Sequence, residues 1–123
     1  MASWQPRIWR AISILLGVAM IAGGTAKLVG VASIVDSFVK WRLPDWFRVL
    51  VGTFELIGGV LLALPATIPI GGVILATIMV GALWTHAANG EWSQTLPSGV
   101  LLVLFLTILT RTRTRAIQLL GGA

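Results

Sequence analysis

Apolar residues run in four stretches of spanning length, at about 8–28, 45–64, 69–88 and 94–112, separated by short polar breaks. A hydrocarbon core of about 30 Å needs roughly 20 mostly apolar residues per helical crossing, so each stretch predicts a transmembrane helix. The first opens with Arg7 and Arg10 and continues ISILLGVAMIAGGTA, a basic start and small-residue end that imitate a signal peptide. Three more spans follow and no separate mature domain is evident, so it reads as a retained span. The second begins at LPDWF, where Pro44 suits a first helical turn, and stops before Pro65. The third starts near Pro69 and ends at Asn89 and Gly90, which favour the left-handed conformation of helix ends. In the fourth only 96–109 is strongly apolar, and Trp92 and Arg111 extend it as interfacial anchors.

Short connections around Pro65 and at NGEWSQT predict antiparallel neighbours for the last three spans. The first connection, 29–42, is longer and places Ile34, Val35, Phe38 and Trp41 at helical spacing, with Asp36, Ser37 and Lys40 elsewhere around the wheel. This predicts a short interfacial helix on the bilayer surface. The expected architecture is all-α, a single four-span membrane bundle over 1–123.

Composition agrees: 57% of the 123 residues are hydrophobic, 11% are charged and mean hydropathy is +0.95, outside the soluble globular range. Arg7, Arg10, Arg111, Arg113 and Arg115 flank one side, against Lys40, Arg42 and Arg48 on the other, with Lys27 added if it reaches that surface. The balance predicts cytoplasmic termini. The six tryptophans read as interfacial anchors, Trp4 and Trp9 at the terminal side and Trp41, Trp46, Trp84 and Trp92 opposite. Net charge of +5 and the RTRTRA stretch fit span flanks meeting anionic headgroups, not nucleic acid, for which no reader motif is present. No cysteine means no thiol or iron–sulfur chemistry in this chain, and a single histidine supplies neither bis-histidine haem nor a zinc site.

Lys27, Glu55 and His86 stand out, because ionisable groups within membrane segments are costly and mark functional sites by default. The antiparallel order puts Lys27 and His86 near the outer ends of their spans and Glu55 near mid-bilayer, all in one half of the bundle. Gly52, Glu55 and Gly59 share a helical stripe, and Gly23 and Gly24 precede Lys27 by four and three. Small residues mark close helix approach, so Lys27 and Glu55 are expected to face inward as an ion pair.

The succession of Gly24 and Lys27, Trp41, Leu43 and Pro44, then Gly52, Glu55, Gly58, Gly59 and Leu62, and a late histidine in the third span, resembles the DoxX-like family of small four-span membrane proteins. The resemblance covers about 14–109 and implies a four-helix bundle in a bacterial inner membrane. That family takes its name from a small subunit of a quinone-linked thiosulfate-oxidising complex; other relatives are linked to oxidant stress or membrane-protein assembly. Two functions follow as expectations. In one the protein is an accessory subunit of a quinone-linked redox system, working with partner subunits or as a homo-oligomer: Lys27 or His86 donates to a quinone oxygen and Glu55 relays a proton. In the other it is a non-catalytic interaction or assembly protein whose Lys27–Glu55 pair fixes helix register.

Overall fold

The computed structural model describes residues 4–112, with side chains from residue 7 onward; Arg113, Arg115 and the Trp4 side chain lie outside the described residues. Five α-helices follow one another: α1 Trp4–Val29, α2 Ala32–Lys40, α3 Asp45–Ala63, α4 Ile68–Ala88 and α5 Trp92–Arg111, with a 3₁₀ turn, Pro65–Thr67, between α3 and α4. Four are long and apolar enough to cross a membrane, and α2 is the short helix expected in the first connection. The protein is an all-α membrane bundle. Boundaries differ from the sequence reading mainly in that α3 begins at Asp45: Pro44 stands before it in extended conformation, where a proline cannot disturb the first helical hydrogen bonds.

Two helix ends explain how the chain turns back at the α2 end of the bundle. At the end of α4, Gly90 has φ +71°, its N–H donates to the Ala87 carbonyl and the Glu91 N–H to the His86 carbonyl. These are the paired bonds of a Schellman motif, and only glycine takes that left-handed position without strain. Asn89, expected to share this conformation, keeps a negative φ of −103° as the C-cap. The same motif closes α2, with Arg42 to Val39 and Leu43 to Phe38, but Arg42 occupies the left-handed position at φ 60°. A side chain there costs on the order of 1 kcal/mol.

Glycines set the helix contacts, with α3 lying between α1 and α4. A Cβ on Gly17 would stand 2.6 Å from the Gly59 carbonyl oxygen, and one on Gly24 would stand 2.6 Å from that of Gly52. The seven-residue spacing of each pair keeps both contacts on one seam of the antiparallel α1 and α3. On the other side of α3, a Cβ on Gly71 would meet the Leu62 nitrogen at 2.5 Å. The close-packed core of Leu62, Leu75, Phe105 and Ile108 fills the half of the bundle nearer the termini. There Arg10 donates to the Ala63 carbonyl at 2.7 Å, satisfying an orphan acceptor at the end of α3, and the Arg111 guanidinium lies 5.0 Å from the Trp9 ring centroid.

This seam generates a prediction. The nearest neighbours of a Cβ on Gly59 include the Gly17 oxygen and Ile21 nitrogen, backbone atoms of a helix that cannot move aside, so Gly59→Val should destabilise the bundle by about 1–3 kcal/mol. Gly81, with nothing within 4 Å of its Cβ position, should tolerate alanine or gain about 0.5–1 kcal/mol from it. Thermal unfolding in lipid nanodiscs separates the two; equal effects would refute the seam.

Candidate functional site

Toward the α2 end the helices leave a partly open cavity of about 540 Å³, and Lys27, Glu55 and His86 all line it. Most of its wall is apolar, with Met20, Phe38, Met79 and Leu101 contributed by four different helices. Glu55 lies ten residues into α3, about 15 Å along its axis, which places it at mid-span. Lys27 Nζ donates to both of its carboxylate oxygens, at 3.0 and 3.1 Å. Only 5% of the Glu55 side chain is exposed, against 21% for Lys27, so the deeper group is the carboxylate. Neither charge would be tolerable alone at this depth; the mutual attraction offsets part of the desolvation.

Glycines make room for this pair as well as for the helices. A Cβ on Gly23 would fall against Glu55 Oε2, and one on Gly52 would stand 2.8 Å from Lys27 Cβ. Gly58 faces the opposite way, toward Leu75 on α4. Arg48, which by charge counting flanks a span, is instead buried: its guanidinium donates to the Lys27 carbonyl oxygen and, at 2.9 and 3.1 Å, to Asp45 Oδ1. It thereby occupies one of the orphan carbonyls at the end of α1, next to the lysine of the pair.

Where α2 meets the α4–α5 turn stands a second polar cluster that the sequence reading missed. Its centre is Glu91, whose carboxylate accepts from Lys40 Nζ at 2.5 Å and from Trp41 Nε1 at 2.9 Å, and whose Oε1 lies 2.9 Å from His86 Nδ1. Glu91 reaches His86 because the Gly90 turn folds it back over the last turn of α4. The Trp41 ring meets the His86 ring edge-on at 5.4 Å and tilts against Phe38 at 5.1 Å. Trp41 is therefore half-buried, not an anchor, whereas Trp46, Trp84 and Trp92 are exposed at this end as expected of interfacial residues. Hydrogen bonds from Lys40 first, then His86 and Trp41, lower the Glu91 pKa from 4.5 to about 2. Among the described residues no three of His, Cys, Asp and Glu converge as a metal site would require.

These bonds tie α2 to the α4–α5 turn, and their pH dependence follows. A carboxylate whose pKa is depressed on folding stabilises the fold above its unfolded pKa and loses that contribution as pH falls through the folded one. The difference in melting temperature between wild type and Glu91→Gln should therefore stay constant from pH 7 to about 5 and shrink between 4.5 and about 2. A difference that is already gone at pH 5 would contradict the cluster.

No solved structure matches the chain at a significant level. Two curated proteins of Bacillus subtilis (strain 168) are similar to it. "Putative oxidoreductase CatD" is 26% identical over 108 residues, 88% of this chain and 81% of that protein. "Uncharacterized protein YdgD" is 29% identical over 104 residues, 80% of this chain and 90% of that one. Residues 11–108, which take in Lys27, Glu55 and His86 and at least part of every helix, match the model of one family: the chain belongs to the DoxX-like family.

Proposed function

We propose that this protein is an accessory subunit of a quinone-linked redox system in a bacterial inner membrane, with both termini cytoplasmic, and that the cavity takes a quinone headgroup. The observation that carries this reading is the cavity itself: about 540 Å³, apolar over most of its wall, with Lys27, Glu55 and His86 among its lining residues. That is the lining which suits a flat apolar ring bearing oxygen atoms at opposite edges, in a volume typical of small-molecule sites. The similarity to a relative named as an oxidoreductase supports the redox class.

A bound quinone supplies a two-electron, two-proton acceptor; the electrons come from a redox-active partner subunit, for this chain has no cysteine and one histidine. The chain's own residues bind the headgroup and manage protons. Lys27 Nζ has three hydrogens, spends two on Glu55 and keeps one for a ligand oxygen. Glu55 is the one carboxylate among the described residues of the cavity wall, and holds or passes a proton there. His86 offers a second polar contact. Exclusion of bulk water by the apolar wall strengthens each of these interactions.

A second reading is favoured by one observation: Gly23 and Gly52 are shaped around the Lys27–Glu55 pair, as a register lock between α1 and α3 requires. The protein would then be a non-catalytic interaction or assembly factor. Glu55→Gln decides between them, since glutamine keeps an oxygen for Lys27 but cannot carry the charge or the proton. On the redox reading, folded yield and melting temperature in native-lipid particles stay close to wild type while proton-coupled quinone reduction by the assembled complex is lost. On the structural reading, stability falls by roughly 3 kcal/mol, the scale of a broken buried pair. Unchanged stability together with no quinone or partner subunit in mass spectra of the detergent-free extract would sink both.

A further inference from the structure

Glu91 lies outside the cavity wall, yet its bonds decide what that wall presents. Its backbone N–H donates to the His86 carbonyl at 2.8 Å in the Gly90 turn, so the pairing of the two side chains is built into the chain path. On its carboxylate converge Lys40 and Trp41 from the end of α2 and His86 from the end of α4. A carboxyl that titrates near 2 is ionised throughout the physiological range and has no hydrogen to give. The hydrogen in the contact with His86 therefore sits on Nδ1.

The other ring nitrogen follows by elimination. With the hydrogen on Nδ1, Nε2 carries a lone pair and can only accept whenever the ring holds a single hydrogen. No described residue pairs with Nε2, and since no sealed side-chain nitrogen or oxygen lacks a partner among the described residues, Nε2 is accessible on a ring that belongs to the cavity wall. A ligand atom that meets His86 there must bring its own hydrogen. A carbonyl oxygen would face a lone pair; a hydroxyl would find an acceptor. The third hydrogen of Lys27, which also lines the cavity, suits an oxygen in either form.

We propose that Glu91 is a positioning residue which holds His86 in the Nδ1–H tautomer, so that the cavity takes the reduced, hydroxyl-bearing form of its quinone-type ligand in preference to the oxidised form. The choice of ring rests on the redox reading above; the redox form is the addition. The step is binding alone, a ligand O–H donating to Nε2, with no bond broken and no electron moved.

His86 is the chain's single histidine, so nitrogen-15 NMR of histidine-labelled protein in lipid nanodiscs reads its tautomer directly. Wild type, Glu91→Ala and Lys40→Ala are compared by that spectrum and by binding of decylubiquinol and decylubiquinone, the reduced probe under anaerobic conditions. Wild type should show Nδ1–H and bind the quinol about tenfold more tightly, the scale of one hydrogen bond in a desolvated site. Glu91→Ala should move His86 toward Nε2–H and abolish the preference. Lys40→Ala loosens α2 but spares the Glu91–His86 contact, and should keep both properties.

An Nε2–H wild type, or equal binding of the two probes, overturns the inference while leaving quinone binding intact. So does a Lys40→Ala variant as impaired as Glu91→Ala, for Glu91 would then only tie down α2. Binding of neither probe overturns the quinone reading and this inference with it. The wild-type measurements decide the question even where Glu91→Ala does not fold.

Discussion

A charged side chain in the hydrocarbon region must find its counter-ion within its own reach, and α1 and α3 are placed so that one can. Lys27 and Glu55 sit on different helices, and a lysine with four methylenes spans only a short gap. The gap is short because the backbones touch at Gly17 with Gly59 and at Gly24 with Gly52. Larger residues there would part the helices and leave a carboxylate at mid-span unpaired. The seam and the ion pair are thus one device: close packing makes the pair attainable, and the pair penalises any slip of one helix along the other. With α1 and α3 fixed in this way, the core closes nearer the termini and the remaining space collects at the α2 end, under Lys27.

The two buried-end carboxylates show how differently one functional group can be managed. Glu55 meets a single cation in an apolar surround, and its other neighbours are glycine and hydrocarbon. Glu91 sits at the mouth of the bundle beside the last turn of α4, where three donors stabilise its charge. Glu55 keeps no donor other than Lys27 among the described residues, so any change in that lysine's bonding is felt by the carboxylate. A pair with one contact can respond to a ligand; a carboxylate with three is a fixed point. This contrast supports the division proposed above, with proton handling at Glu55 and positioning at Glu91.

Much of the architecture was legible because a bilayer makes crude sequence signals decisive. Length and hydropathy specify the spans, and the period of Ile34, Val35, Phe38 and Trp41 specifies α2, since nothing else satisfies backbone polar groups in lipid. The Lys27–Glu55 contact was legible for the same reason: few groups at that depth can serve as partners. Glu91 was not. In a polar loop a glutamate is unremarkable, and its meaning depends on a turn that carries it back over His86; the signal available was Gly90 immediately before it, which marks a Schellman end whose next residue bonds to the carbonyl four residues before the glycine. Arg48 was misread because counting charges near span ends does not say which face of the helix they occupy. Trp41 was misread because an interfacial tryptophan and one that donates to a carboxylate at the same depth look alike in sequence.

The same comparison explains why α2 is the element most open to change. It buries one residue, Phe38, and is otherwise held by its ends: by the turn at Gly30, by the strained Arg42, and by two hydrogen bonds to Glu91. Polar bonds at a membrane surface compete with water and headgroups, so they contribute less than the apolar contacts that hold α3 and α4 together. Phe38 and Trp41 nonetheless form part of the cavity wall. The wall is therefore firmly held where the ion pair sits and more weakly held where α2 covers it, a distribution of stability that suits the ligand proposed above. Loss of the α2 bonds would release Lys40 and Trp41 from Glu91 but leave its contact with His86, which is set by the Gly90 turn and not by α2.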